Sequence, residues 1–279
     1  TATITLRNDD RRFDPENLVG PYAAAGVSNL RTRVPCRISA TYAGTRYPIF
    51  AGYVDKWDPR YNEPGTGVCV VTLSDAFKIL GGIDPVEQVA QGAGELSGGR
   101  INRILDNAGF PSADRAIDAG NSAMQATTLA TNVLTELKLV AESERGQFYV
   151  DASGQVTFRE RHARFERSRS VNVQGIFGDA AGELDYSSIS APIDDELIVN
   201  QANIARAGGV SQSWGSDASR TQYLLSTYTR TNLTFTTDAE SAEYARWIIR
   251  QFADQDRRVE QVTIEPDGMD GGVDPWPVL

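Results

Sequence analysis

One histidine, two cysteines and three lysines are spread over 279 residues, and each scarcity removes a class of function. With His162 as the only imidazole, a Ser-His-Asp triad has a single possible base, and no second histidine exists to share a metal. His162 lies in an arginine-rich stretch after a hairpin pattern, where an exposed surface role is expected. Cys36 and Cys69 are too few for a disulfide framework and lack metal-ligand spacing. Both sit in apolar alternation, which predicts two free, buried thiols in a chain folded in a reducing cytoplasm. No apolar run approaches the ~20 residues of a membrane-spanning helix. Positive charge is also short: 27 Lys and Arg against 37 Asp and Glu leave a net charge of −10. That sign disfavours stable nucleic-acid binding. The three lysines leave arginine as the dominant cation, which suits planar interface contacts; a GC-rich genome gives the same skew and is the weightier explanation.

Sequence motifs for chemistry are missing as well. The glycines of Gly92-Ala-Gly94-Glu-Leu-Ser-Gly98 miss the dinucleotide-binding spacing by one residue, and no phosphate-binding loop ending in Gly-Lys-Ser/Thr occurs. Asp267-Gly-Met-Asp270-Gly-Gly-Val-Asp274 lacks the alternating ligands and closing Glu of a calcium loop, so a plain acidic loop is expected. Asn232-Leu-Thr234 is a glycosylation sequon by pattern only. Carboxylates are abundant, but no pair stands out as a glycosidase acid and base. No catalytic, metal-binding or cofactor-binding residue is therefore assigned, no cofactor is expected, and the chain is read as a non-enzyme. Interface residues stay unassigned.

What is present is a normal globular composition, 41% hydrophobic and 23% charged, with enough length for one to three domains. The chain opens in a strand pattern, Thr1 to Arg7, without an initiator methionine or a signal peptide. It stops at Asp274-Pro-Trp-Pro-Val-Leu279 and is expected to be an ordered fragment of a longer polypeptide. Val34, Cys36, Ile38, Ala40 and Tyr42 alternate with polar neighbours, predicting a half-buried strand. A turn at Ala43-Gly44-Thr45 leads into a second strand, Arg46 to Trp57, where Gly52 marks a bulge or close backbone approach. A loop, Asn62 to Gly67, precedes a third strand, Val68 to Leu73. Gly92 to Gly99 reads as a flexible joint with Ser97 as N-cap. Ile101, Ile104, Leu105 and Ala108 then form a helical stripe closed by Gly109. A longer helix is predicted over Ala126 to Arg145, followed by a hairpin pairing Phe148 and Val150 with Val156 and Phe158 across Asp151 to Gly154. An arginine-rich block (Arg159, Arg161, Arg164, Arg167, Arg169) is followed by an acidic one (Asp179, Glu183, Asp185, Asp194, Asp195, Glu196). Solvated surface or linker is the commoner reading; complementary charge between neighbouring copies is the functional alternative. Strands are predicted at Leu197 to Arg206, Tyr223 to Thr229, Leu233 to Thr236 and Val259 to Glu265. A helix carries the capping box Thr237-Asp-Ala-Glu240 and the stripe Ala245, Ile248, Ile249 and Phe252.

Thr3-Ile-Thr-Leu-Arg-Asn-Asp-Asp-Arg-Arg-Phe-Asp-Pro15 resembles the opening strand and loop of minor tail proteins of long-tailed actinobacteriophages. Further segments follow the family order. They are Arg33-Val-Pro-Cys-Arg-Ile38, Gly44, Tyr47 through Asp55, Ser97 through Ile101, Gly146 through Phe158, and Asn200 through Gly209. The resemblance implies a tail-tip hub, similar to the central hub of contractile-phage baseplates and type VI spikes. The implied fold is α+β and β-rich, with two tail-tube-like antiparallel β-barrels (1–93 and 183–279) flanking an inserted α+β domain (94–182). Implied too are a homotrimer and a place in the virion tail tip after assembly in the host cytoplasm. Its expected partners are the distal tail or tube protein, the tape-measure protein and tail fibres or receptor-binding proteins, with genomic DNA in transient passage. Two alternatives remain open: a sixfold distal tail ring protein, and a tail-associated cell-wall hydrolase.

Overall fold

A computed structural model describes residues 1–63, 65–85, 89–178, 180, 183–193, 195–255 and 259–264. Two compact units divide the chain, 1–160 and 161–279. The first begins with β1 (Ala2–Arg7), two short strands β2 (Ala23–Ala24) and β3 (Val27–Ser28), then β4 (Pro35–Tyr42), β5 (Thr45–Glu63) and β6 (Thr66–Ser74). Helices α1 (Ala76–Gly81) and α2 (Ser97–Asn107) follow, then β7 (Arg115–Ile117), α3 (Val133–Glu144), β8 (Gln147–Val150) and β9 (Val156–Arg159). The second unit holds α4 (Ala163–Glu166), α5 (Ser168–Val171), β10 (Ser188–Ser190), β11 (Gln201–Arg206) and β12 (Gln212–Gly215). Its last elements are α6 (Asp217–Tyr223), β13 (Thr227–Leu233), α7 (Asp238–Phe252) and β14 (Gln261–Thr263).

Period-two alternation makes the first sheet: β1 shows alternate half-buried and exposed residues, and β6 buries Cys69, Val71 and Leu73 on one face. Strand order is β1-β6-β5-β4, antiparallel throughout. Left-handed Ala43 and Gly44 form the two-residue turn between β4 and β5. Register shifts at Ile38/Ser39, Val54/Lys56 and Tyr61/Glu63 bend and curl the sheet. The first shift also breaks the predicted alternation of β4, leaving Ala40 and Tyr42 exposed. Gly52 is a close approach, as anticipated: a Cβ there would lie 2.3 Å from the Ser74 carbonyl oxygen.

Behind this sheet, Ile101, Ile104 and Leu105 of α2, Leu137 and Val140 of α3, and Val156 and Phe158 of β9 share one core with Leu80 of α1. Each fully buried aliphatic side chain contributes about 1.5–3 kcal/mol. The stripe and Gly109 stop of α2 and the β8–β9 hairpin match expectation. Two features differ. Ser97 is not the N-cap; Leu96 holds that position, and Ser97, fully buried, donates from Oγ to Glu144 Oε2 at 3.1 Å. The helix predicted from Ala126 starts only at Val133, because Asn132 caps it by accepting from the Thr135 N–H at 3.0 Å. Upstream, Thr127 is held extended by a bridge to Gln91.

In the second unit, β11 is flanked by antiparallel β12 and parallel β13, and α7 packs over β11 and β12. The capping box of α7 is formed, and Ala245, Ile248 and Ile249 are buried. Sequence periodicity missed α6, a short helix whose only signal is Ser216, which accepts from the Ser219 N–H. The strand predicted from Tyr223 starts at Thr227 and runs through to Leu233. A separate two-stranded ribbon pairs β10 with β14.

Neither expected barrel closes among the described residues. Four strands are too few to wrap a core on themselves, and the second sheet has three strands in a different order with one parallel pair. The observed class is mixed α+β and β-rich, with a curled half-barrel sheet.

Adjacent glycines in α2 give a sharp test of this packing. A Cβ on Gly98 would lie 1.8 Å from the Asp118 carbonyl oxygen, whereas one on Gly99 meets nothing within 4 Å. Helix propensity alone favours alanine at both by roughly 1 kcal/mol. We expect Gly99→Ala to stabilise by about 0.4–1 kcal/mol and Gly98→Ala to destabilise by about 1–3 kcal/mol, read from urea denaturation midpoints. Equal effects would contradict the packing.

Candidate assembly surfaces

His162 is exposed at the start of α4. Cys69 is fully buried and Cys36 half-buried, both free, and burial raises both thiol pKa values. Asn232 is exposed in a left-handed conformation, and Thr234 of the sequon is buried. Among the described residues, no group of three or more His, Cys, Asp and Glu could hold a metal ion. Likewise, no helix there is long and apolar enough to cross a membrane. Asp179, Asp194 and the loop Asp267 to Asp274 lie outside the described residues. A cleft of about 340 Å³ is lined by Arg37, Ser39, Arg46, Phe50, Asp114 and Gln155 among others. It contains one carboxylate and no histidine or cysteine, so it lacks a pair of groups for acid–base work.

The surface that the fold does build is the four-stranded sheet. Its strand β1 pairs only with β6, and β4 only with β5, so the outer backbone edge of each is open among the described residues. Such edges are templates for another chain unless they are blocked. One face is filled by Val54, Cys69, Val71 and Leu73 with Ile4, Leu6, Ile38, Phe50 and Trp57 against them.

The Asn-Asp-Asp-Arg-Arg-Phe-Asp motif after β1 fixes this sheet's corner. Asn8, fully buried, accepts from the Phe13 N–H at 2.8 Å, and its own N–H donates to the Gly67 carbonyl at 2.8 Å. Asp9 accepts from the Gly67 N–H at 3.0 Å and pairs with Arg7. Buried Asp14 accepts from Arg11 at 2.7 Å, from the Tyr61 hydroxyl at 3.0 Å and from the Glu16 N–H at 3.0 Å. Burial works to raise the Asp14 pKa, but these donors outweigh it and hold the carboxyl below its ordinary range. A Cβ on Gly67 would lie 2.8 Å from the Asn8 carbonyl oxygen, so the hairpin needs glycine there.

Sequence reasoning also missed a polar node in the first unit. Arg100 is fully buried and donates to Glu95 at 2.5 Å, the Gly92 carbonyl at 2.7 Å, the Gln125 carbonyl at 2.8 Å and the Thr127 hydroxyl at 2.8 Å. Burial pushes Glu95 up, yet hydrogen bonds from Arg103 and Arg100 prevail and lower its pKa. The only prior signal was an arginine on the helix face beside Ile101 and Ile104.

Both depressed carboxylates, Asp14 and Glu95, contribute stability that is present above their unfolded values and lost as pH falls through the folded ones. Stability should therefore decline below about pH 4–5. Asp14→Asn should cost about 1–3 kcal/mol at neutral pH and flatten part of the acid decline. Urea titrations at neutral and acid pH check this; a variant as stable as the parent at pH 7 contradicts the assignment.

No protein-family model matches this sequence, and no curated protein matches it. Solved structures do. The 43 kDa tail protein of prophage MuSo2 from Shewanella oneidensis superposes with a TM-score of 0.55 at 15% identity, over 88% of this chain and 68% of that one. A tail protein from Neisseria meningitidis superposes with a TM-score of 0.51 at 10% identity, over 75% of this chain and 61% of that one. The chain thus spans between three fifths and about two thirds of the length of these proteins, and it shares their fold.

Proposed function

We propose that this chain is a non-enzymatic structural subunit of a phage tail, positioned at the tail tip as a hub. In this reading residues 1–93 and 183–279 present two β-sheet surfaces, with 94–182 as an insert, and neighbouring copies complete the curled half-barrel sheet. Three copies offering two surfaces each would meet a sixfold tube at every edge. The ring would close the tube, contact the tube or distal tail protein, the tape-measure protein and fibres, and let genomic DNA pass. A net charge of −10 suits passage, since an acidic wall does not retain DNA.

One observation carries the reading: a curled sheet with both outer edges open, in a fold shared with prophage tail proteins. The sixfold distal ring protein is the second reading, favoured by the unlike strand orders of the two sheets. Counting copies per virion by quantitative mass spectrometry separates the two: three per tail is expected, and six would favour the distal ring. Zymography on host cell walls should show no clearing. Clearing that is lost on mutating one carboxylate would overturn the non-enzymatic assignment.

A further inference from the structure

The two opposed charge blocks of the second unit are not explained by the fold. Residues 161–173 carry four arginines and one glutamate, and residues 183–197 carry five carboxylates and no basic residue. Arg164 and Arg169 on one block, and Asp185 and Asp195 on the other, are exposed and make no ion pair among the described residues. The charge of these four side chains is therefore not neutralised among the described residues. Apolar side chains stand among the charges on both sides. Phe165 is 76% exposed and Val173 77%, and on the acidic side Ile193 is 56% exposed and Leu197 46%. Helices α4 and α5 have only four residues each, too short to bury an apolar face of their own.

We propose that stretch 161–173 docks on stretch 183–197 of a second copy of this chain. Apolar side chains surrounded by charge match the anatomy of a protein–protein interface, with a dry centre and a polar rim. Opposite signs steer the encounter and set its register. A second copy is the occupant because one sequence supplies both halves: the basic stretch of each copy faces the acidic stretch of the next, and head-to-tail repetition closes a ring. A polyanion fits less well, because a chain of net charge −10 repels it outside this short stretch. The inference rests on the homo-oligomeric reading above and names a surface for it.

Native mass spectrometry and sedimentation velocity of the chain, at low and high salt, test the proposal. The parent chain should self-associate at low salt and dissociate as salt rises, since exposed charges are screened. R164E/R169E and D185R/D195R should each weaken association about tenfold or more, with unchanged circular dichroism. Combining all four reversals should restore it, which a misfolded variant cannot do. Phe165→Ser should weaken association without altering charge. Rings that persist unchanged in both double reversals overturn this surface and leave the ring reading standing. A parent chain that stays monomeric at every concentration overturns the ring reading, and this inference with it. Binding of duplex DNA or anionic vesicles that R164E/R169E abolishes, without any effect on self-association, would assign the stretch to a polyanion instead.

Discussion

A single buried guanidinium organises the middle of the first unit. Arg100 sits on α2 beside Ile101 and Ile104, yet its fork is spent on the Gly92 and Gln125 carbonyls, the Thr127 hydroxyl and Glu95. Those partners lie in segments outside the helices and named strands, and the guanidinium ties them to α2. Removing one partner of a buried charge pair typically costs about 3–5 kcal/mol, a large part of a domain's net stability. The same segments bring Met124 and Leu129 into the core. The hydrophobic core of this unit therefore depends on a polar contact for its shape.

The sheet next to it has the opposite property. Its inner face is satisfied by Val54, Cys69, Val71 and Leu73, while the edges of β1 and β4 keep backbone groups facing outward. A chain that did nothing but remain monomeric would gain from blocking such edges. The corner motif from Asn8 to Asp14 holds β1 in register with β6 through side-chain and backbone bonds to Gly67. Rigid presentation of open strands suits assembly, and the cleft near Arg46 offers one carboxylate, Asp114, without a second acid or base beside it.

Much of this was legible in the sequence where one local rule decided the outcome. Alternation located β4, though a register shift ends that alternation at Ser39; the stripe and Gly109 gave α2; the capping box gave α7. Where a distant partner decided, local reading failed. Val133 begins α3 because Asn132 caps it, although the apolar pattern extends upstream to Leu129. Ser97 has the look of a cap and instead serves the buried Glu144. Arg145 itself takes the left-handed position at the end of α3, and Gly146 is needed because a Cβ there would lie 2.5 Å from the Arg159 carbonyl oxygen. The parallel pairing of β11 with β13 could not be read from strand patterns, because pairing sense is set by the crossover and not by alternation. The open edges were invisible for a related reason: an open edge is defined by a missing neighbour.

The central claim is that these open edges are completed by other chains in the tail. A symmetry-resolved electron cryomicroscopy reconstruction of an assembled tail tip tests it directly. The account predicts strands of neighbouring subunits hydrogen-bonded along β1 or β4, in a threefold ring. Solvent along both edges in the assembled particle would contradict it.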